Sequence, residues 1–206
     1  ATHAGISVGE DGATHQCNED IALMRTIPGM VILNPSDDIE AKAAVKAAYE
    51  HEGPVYMRFG RLAVPIINDR PDYKFEIGKG VTLREGKDVA IIATGLCVSE
   101  SLAAAEKLAA DGIDAKVINI HTIKPLDEDL VVAAAKECGK VVTVEEHSVI
   151  GGLGSAVCET LSRKAPTPVK TIGVQDCFGE SGPAVALLEK YGLNAEGIYA
   201  SVKEFV

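Results

Sequence analysis

A regular alternation of short apolar segments and amphipathic segments in the second half of the chain constrains the fold most strongly. Consecutive strands joined by a helix-length connection must run parallel, with right-handed crossovers. The sequence therefore predicts an α/β fold with a mostly parallel sheet. Strands are predicted at 88–93, 115–120, 140–145 and 169–174, and helices at 98–111, 127–138, 154–164, 183–191 and 195–205.

A short helix is predicted at 18–26, in the first part of the chain. Asn18 or Thr14 can cap it, so that His15 would lie at or near its N-terminus. There the partial positive charge favours a neutral imidazole or a bound anion. The alternative is that His15 is itself part of the cap.

A capping box marks the start of the next helix. Glu40 follows Asp37 by three residues, which predicts a helix to about residue 52. A short apolar strand precedes this helix, and another strand is predicted at 55–59. Arg58 and Arg61 stand at the C-terminal end of that second strand, where α/β sheets present their ligands.

A linker composition occurs between the two halves. Three regions are therefore predicted: a first domain at 1–68, a linker at 69–84 and a second domain at 85–206. The residues that indicate the linker are Pro65, Asn68, Asp69, Pro71 and Asp72.

Composition excludes several kinds of partner. The net charge of −10 over 206 residues argues against nucleic acid, because that affinity comes from clustered Lys and Arg. No apolar run approaches the roughly 20 residues of a membrane span, so no membrane partner is expected. The five cysteines contain no C-x-x-C pair, so we expect no metal ligands and a cytoplasmic location. The chain does not begin with Met, and we expect a fragment of a longer protein.

The candidate functional segment is residues 1–16, ATHAGISVGEDGATHQ. Its low apolar content argues against a place in the core, and its glycines permit positive φ values and a tight turn. His3, Asp11 and His15, with the arginines after the strand at 55–59, would form a cradle for a polyol with one anionic end.

Other motifs have mainly structural interpretations. Residues 151–154, G-G-L-G, follow a strand and open a helix, but they lack the full dinucleotide spacing and predict close helix packing. His121, His147 and the Glu145–Glu146 pair lie at strand ends, where a structural role and a crevice-lining role are both open. Residues 178–182, F-G-E-S-G, predict a turn.

Several of these motifs resemble the transketolase family. The segment T-H-A-G-I-S-V-G-E-D-G-A-T-H-Q, followed by I-P-G-M and N-P-S-D, is similar to the second half of the pyrimidine-binding domain. The motifs I-K-P-L-D, E-E-H, G-G-L-G and F-G-E-S-G resemble the transketolase C-terminal domain. The resemblance covers essentially the whole chain and favours transketolases split into two subunits, of which this would be the C-terminal one. It implies a partial thiamine-diphosphate-fold pyrimidine domain, then an α/β/α domain with a mostly parallel sheet.

The resemblance also implies residue roles. Asp11 would hydrogen-bond the α-hydroxyl of the acceptor aldehyde, which suits a carboxylate that only accepts. His15 would lie beside the reacting carbons, contact the cofactor and assist proton movement. His3 would help to hold the sugar and its phosphate. Ala4 stands where the family usually has an acid, so the contacts of that side chain are absent.

The phosphate-binding arginine of the family has two candidates. Counting from Pro54 and Pro65 places it at Arg61, whereas Arg58 occupies a position that related deoxyxylulose phosphate synthases also fill with arginine. A guanidinium fork suits a phosphate better than an ammonium would. We therefore expect Arg61 to be the phosphate-binding residue, with Arg58 as the second candidate.

The resemblance implies a reaction that this chain cannot complete alone. Transketolases pass a two-carbon ketol unit from a ketose phosphate to an aldose phosphate in the pentose phosphate pathway, with thiamine diphosphate as electron sink and Mg²⁺. The groups that contact the aminopyrimidine would lie upstream, and another domain would bind the diphosphate and Mg²⁺. We expect sugar-phosphate substrates, an N-terminal transketolase subunit or domain as partner, and a homodimer or heterotetramer.

Three alternatives stay open from the sequence. A deoxyxylulose phosphate synthase or the β subunit of a 2-oxo acid dehydrogenase would share the fold and cofactor, although G-E-D-G-x-T-H-Q favours transketolase. The chain could also be a noncatalytic scaffold or dimerisation module.

Overall fold

The computed structural model describes residues 2–206, and of Thr2 only the backbone; Ala1, the first residue of the predicted functional segment, lies outside the described residues. The elements alternate between strand and helix through most of the chain. In order they are β1 (Thr2–His3), a 3₁₀ helix (Ile6–Asp11), α1 (Asp20–Arg25), β2 (Val31–Leu33), α2 (Asp38–Glu50), β3 (Val55–Phe59), β4 (Val81–Arg84), β5 (Val89–Ala93), α3 (Cys97–Ala110), β6 (Ala115–Asn119), β7 (Thr122–Lys124), α4 (Glu128–Cys138), β8 (Val141–Ser148), α5 (Leu153–Lys164), β9 (Val169–Val174), α6 (Ala184–Lys190) and α7 (Ala195–Phe205).

Two sheets organise these elements. The first has the order β1–β3–β2–β7, parallel except for β7, which pairs antiparallel with β2. The second has the order β4–β6–β5–β8–β9, parallel except for β4, which pairs antiparallel with β6 at the edge. The mostly parallel α/β fold predicted from the sequence is confirmed. Strand β4 lies within the predicted linker at 69–84, and β7 brings residues of the second half into the first sheet.

Helices cover both faces of the five-stranded sheet. Side chains alternate across β5, so Ile91 packs with residues of α3 and α7, whereas Ile92 packs with residues of α4 and α5. All five residues of β5 are fully buried, as expected for a central parallel strand with helices on both sides. Among the described helices, none is long and apolar enough to span a membrane.

Helix ends differ in how well the sequence predicts them. Asp37 caps α2 by accepting a hydrogen bond from the Glu40 amide at 2.8 Å, which confirms the predicted cap. The Glu40 carboxylate reaches one residue further back than in a capping box and accepts from the Ser36 amide at 2.7 Å. The prediction for α1 was wrong at its start. The helix begins at Asp20, after a cap residue without a side-chain hydrogen bond, so His15 lies in a turn well before it.

Candidate functional site

The predicted functional segment folds as the end of β1, the 3₁₀ helix and a turn. Gly5 and Gly12 flank the 3₁₀ helix with φ values of 62° and 76°, in the left-handed region that glycine adopts without strain. These values confirm the role expected of the glycines. His3, Asp11 and His15 are exposed. The segment therefore presents its chemically active side chains to solvent.

Asp11 and Arg61 are in direct contact, although 50 residues separate them in the sequence. Arg61 lies just beyond the C-terminal end of β3, and its Nη1 donates to Asp11 Oδ2 over 2.5 Å and to the Val8 carbonyl over 3.4 Å. The Arg61 side chain keeps 51% of its accessible surface, and the Asp11 side chain keeps 39%. A solute can therefore reach both the carboxylate and the guanidinium.

The two histidines lie close to this pair along the chain without bonding to it. His3 is opposite Phe59 in the β1–β3 register, which places it at the end of the strand that leads to Arg61. The Nδ1 atom of His15 shares a hydrogen bond of 3.0 Å with the Thr14 hydroxyl. Within the described part of the chain, neither imidazole is hydrogen-bonded or ion-paired to Asp11 or Arg61.

Arg58, the alternative phosphate-binding arginine, is buried with only 1% of its surface exposed. Its Nε donates to Asp20 Oδ2 at 2.9 Å, and its Nη2 donates to the carbonyls of Cys17 at 2.9 Å and Glu146 at 2.8 Å. Burial disfavours the charged form, but the Asp20 and Glu146 carboxylates outweigh it and raise the pKa of the guanidinium. Asp20 also accepts from the Tyr56 hydroxyl at 2.7 Å. Arg58 thus ties three parts of the chain together from inside.

Residues of the second half of the chain hold the functional segment by hydrogen bonds on its buried side. A Glu146 carboxylate oxygen accepts a short hydrogen bond from the Ser7 amide. The Gln16 side chain donates to the Glu180 carbonyl at 2.8 Å and to the Ile6 carbonyl at 3.2 Å. The contacts of Glu146 and Glu180 span more than a hundred positions, so no local pattern in the sequence links these residues to the segment.

Glu145, the neighbour of Glu146, serves the start of α5. Its carboxylate accepts from the amides of Leu153 at 2.7 Å and Gly154 at 2.8 Å. A Cβ on Gly152 would lie 2.1 Å from Glu145 Oε2, so only glycine fits there. The predicted helix-packing role of G-G-L-G is confirmed, and a protein carboxylate occupies the helix N-terminus where a nucleotide loop would bind phosphate.

The buried acids and histidine of β8 have strongly shifted pKa values. Burial raises the pKa of Glu145 and of Glu146 to about 7, despite their hydrogen bonds and the nearby Arg58. Burial, with the Arg58 charge, lowers the pKa of His147 to about 4. All three are buried, with 0% exposure for Glu145 and His147 and 3% for Glu146, and their hydrogen bonds go to other parts of the fold.

His121 and residues 178–182 also have structural surroundings. His121 is fully buried and stacks on Phe75 with 4.3 Å between ring centroids. Burial lowers the pKa of its imidazole, although the Glu40 and Asp127 carboxylates work in the opposite direction. Residues 178–182 contain neither helix nor strand, in agreement with the predicted turn. This turn packs against the functional segment, since a Cβ on Gly12 would lie 2.3 Å from Ser181 Oγ.

The exposed polar groups of this segment combine an acceptor with several donors. Among residues 2–206, no group of three or more His, Cys, Asp or Glu side chains could hold a metal ion. The exposed groups are a carboxylate, a guanidinium and two imidazoles. Together they can accept a hydrogen bond from a hydroxyl and donate to an anion.

Family models match both parts of this architecture. The model of the transketolase pyrimidine binding domain matches residues 1–66, and that of the transketolase C-terminal domain matches residues 78–198. The class is thus that of a pyrimidine-binding half joined to an α/β/α domain. The chain belongs to the transketolase family, which confirms the family resemblance read from its motifs.

Similar proteins match along nearly the whole of this chain. The chain is 47% identical to a 6-deoxy-6-sulfo-D-fructose transketolase subunit of Clostridium sp. (strain MSTE9), over 97% of this chain and 62% of that one. It is 43% identical to one of the subunits of an apulose-4-phosphate transketolase of Phocaeicola vulgatus, over 98% of this chain and 64% of that one. The chain thus spans just under two thirds of these relatives.

A solved structure described as a split-gene transketolase, an inactive β4 tetramer, is 51% identical. It superposes with a TM-score of 0.91 over 99% of this chain and 65% of that one. The fold is therefore the transketolase fold.

Proposed function

We propose that this chain is the C-terminal part of a transketolase, which passes a two-carbon ketol unit from a ketose phosphate to an aldose phosphate. The observation that carries the proposal is the accessible Asp11–Arg61 pair in a chain of this family. An acid that only accepts and a guanidinium that only donates offer complementary contacts to a hydroxyl and to a phosphate. An aldose phosphate carries both groups.

Each exposed side chain has a proposed task. Asp11 orients the α-hydroxyl of the acceptor aldehyde, and Arg61 with His3 holds the phosphate. His15 lies beside the reacting carbons, contacts the cofactor and moves protons at the substrate oxygens. The hydrogen bond to the Thr14 hydroxyl fixes the ring at Nδ1 and leaves Nε2 for that task.

Arg61 is the better candidate for the phosphate. It is half exposed, whereas all three bonds of the buried Arg58 guanidinium go to protein oxygens. An incoming phosphate would have to displace those oxygens and leave Asp20 buried without its cation, which is costly. We therefore assign Arg58 a role in holding the segment rather than the substrate.

Thiamine diphosphate would supply the electron sink that makes cleavage of the ketose carbon–carbon bond possible. We assign the diphosphate and Mg²⁺ to an N-terminal subunit or domain, and the similarity to split transketolase subunits supports this division. That partner also implies a dimer or heterotetramer as the working assembly, and no ketol transfer by this chain alone. The inactivity ascribed to the β4 tetramer of the split-gene relative supports this last point. We place the assembly in the cytoplasm.

The proposal also concerns which sugars the complete enzyme prefers. Pentose phosphates are the expected substrates, but the similar Clostridium and Phocaeicola proteins are described as acting on a sulfosugar and on apulose 4-phosphate. All three carry an anionic end group, which is what Arg61 and His3 would bind. The assay must therefore compare the anionic groups.

The test combines the purified chain with its N-terminal partner, thiamine diphosphate and Mg²⁺. Ketol transfer is measured from xylulose 5-phosphate and from a sulfosugar ketose to ribose 5-phosphate. We expect turnover only when the two subunits are combined. Arg61→Ala should raise the KM for the phosphorylated acceptor at least about tenfold, since a charge-assisted contact is lost.

Two results would contradict the proposal. Turnover of pyruvate with glyceraldehyde 3-phosphate, and none of ketose phosphates, would identify a deoxyxylulose phosphate synthase. No turnover of either substrate class by a stable complex would favour the scaffold alternative.

A further inference from the structure

We propose that Glu146, which belongs to the C-terminal domain, is a positioning residue for the segment that carries Asp11. The proposal rests on the proposed function only for its effect on catalysis. The contact itself concerns how residues 5–12 are held.

The first support is the hydrogen bond between Glu146 and Ser7. Glu146 is 3% exposed, and its Oε1 accepts from the Ser7 amide, 139 positions away. Ser7 is the second residue of the 3₁₀ helix that ends at Asp11. A buried amide must find an acceptor, and this one finds it on a side chain of another domain. The start of the helix is thereby tied to β8.

The second support is the packing of Glu146 against Gly5. A Cβ on Gly5 would lie 2.3 Å from both Cγ and Cδ of Glu146, far inside contact distance. The side chain of Glu146 therefore lies directly on the backbone of Gly5, just before the hydrogen-bonded amide of Ser7. A displacement of the segment toward β8 meets this side chain, and a displacement away breaks the hydrogen bond.

Glu146 is itself immobilised. Its carbonyl accepts from Arg58 Nη2 at 2.8 Å, and the same nitrogen donates to the Cys17 carbonyl at 2.9 Å. The Cys17 carbonyl also accepts from the Gly5 amide at 2.9 Å. Both ends of the segment from Gly5 to Cys17 are thus held by one buried guanidinium, Cys17 through its carbonyl and Gly5 through its hydrogen bond to that same carbonyl. The position of Glu146 is set before any substrate arrives.

Asp11 depends on this anchor because it lies four residues after Ser7. The segment Ile6–Asp11 consists of two short 3₁₀ turns joined by a kink at Gly9, where φ is 79°. A Cβ on Gly9 would lie 3.3 Å from the Gly182 carbonyl oxygen, so the segment is packed between Glu146 and the turn at 178–182 on both sides of the kink. Hydrogen bonds lose strength within a few tenths of an ångström and beyond modest angles, so a shifted helix would misplace the Asp11 carboxylate.

Glu145 provides a matched control. It adjoins Glu146, is fully buried and accepts two amide hydrogen bonds, at 2.7 and 2.8 Å. Those amides belong to α5, so the loss of Glu145 should disturb α5 and leave residues 5–12 unchanged.

The experiment uses the full chain and its complex with the N-terminal partner. Hydrogen exchange of residues 5–12 is measured by mass spectrometry in Glu146→Leu, Glu146→Asp, Glu146→Gln and Glu145→Leu. Leu fills the volume without an acceptor, Asp withdraws the acceptor by one methylene, and Gln keeps it. We expect exchange at 5–12 to accelerate about tenfold in the Leu and Asp variants, the effect of one lost buried hydrogen bond. Glu146→Gln should match the unmodified chain, and Glu145→Leu should accelerate only residues 153–156.

Unchanged exchange at 5–12 in Glu146→Leu, or equal acceleration by Glu145→Leu, would overturn the proposal. Should Glu146→Leu not fold, Glu146→Asp decides by the same criterion. In the complex, Glu146→Asp should also reduce kcat for α-hydroxylated acceptors several-fold, with Glu146→Gln restoring it. If the unmodified complex transfers no ketol unit, the proposed function fails, while the exchange data still decide the positioning role.

Discussion

Arg58 and Arg61 lie three residues apart, but Arg58 is buried and Arg61 is half exposed. Removing Arg58 should therefore mainly lower the stability of the fold, whereas removing Arg61 should mainly weaken substrate binding. Arg58→Ala would leave the Asp20 carboxylate, 7% exposed, without its cation, and would remove one donor from each of the Cys17 and Glu146 carbonyls. Breaking a buried ion pair by removing one partner costs about 3–5 kcal/mol. Arg61→Ala breaks a pair whose side chains are 51% and 39% exposed, and such pairs contribute about 0–1 kcal/mol.

The measurement is urea unfolding of the purified chain, followed by circular dichroism. With a slope of about 2–3 kcal/mol per molar, the midpoint should fall by about 1–2.5 M for Arg58→Ala. It should fall by less than about 0.5 M for Arg61→Ala. Arg61→Ala should instead raise the KM for phosphorylated acceptors in the assembled enzyme, as proposed above.

A double-mutant cycle tests the cause. Asp20→Asn removes the charge that Arg58→Met would orphan, so the double variant should lose clearly less stability than the sum of the two single variants. Equal midpoints for Arg58→Ala and Arg61→Ala would refute the assignment of Arg58 to the interior. Strict additivity in the cycle would show that the orphaned carboxylate is not the source of the loss.

Three further predictions follow from burial and exposure. Because the pKa values of Glu145 and Glu146 are about 7 in the fold, the folded chain binds more protons than the unfolded chain between about pH 4.5 and 7, so stability should rise as pH falls through that window. His147, with its pKa lowered to about 4, opposes this effect below about pH 6.5. The free energy of unfolding, measured by urea titration, should therefore increase by at most about 3 kcal/mol as the pH falls. The same increase in a variant with both glutamates replaced by Gln would contradict the assignment. Asp11→Ala in the assembled enzyme should impair α-hydroxylated acceptors more than unhydroxylated ones, and equal kcat/KM losses for both would remove Asp11 from its role. Cys177 is the exposed cysteine of the described chain, so a thiol reagent should label it first in peptide mapping, and faster labelling of another cysteine would contradict the fold around the turn.

The sequence predicted the central elements well because their signals are local. Strands β3 and β9 and helix α7 have the predicted bounds, since apolar runs end at Gly, Pro or capping residues. The short strands β1 and β7 were not predicted. Each has two or three residues and exists because a partner strand is present, which no local pattern reveals.

Arg58 carried a signal that the sequence analysis did not use. In β3 the buried residues are Tyr56 and Arg58, with half-buried neighbours between them, so the two-residue period of a strand already places Arg58 on the inner face with Tyr56. A pair of acids in an apolar strand carried a similar signal, because Glu145 and Glu146 could be buried there only with amide donors nearby. Which amides those are depends on the tertiary fold.

The division between inward and outward side chains of residues 3–16 bears on how the proposed site would act. Ordering a residue costs about 1–2 kcal/mol of conformational entropy, so a six-residue polar loop that ordered only around substrate would lose much of its binding free energy. Here Ile6 and Val8 are buried at 0% and 2% exposure, and each contributes about 1.5–3 kcal/mol to holding the loop without substrate. The Ser7 amide, between these two residues, donates a hydrogen bond to the Glu146 carboxylate. The backbone is therefore fixed at three successive residues, 6 to 8. The ordering cost is therefore met by folding, and the proposed binding of a sugar phosphate to Asp11 would need only the rearrangement of exposed side chains.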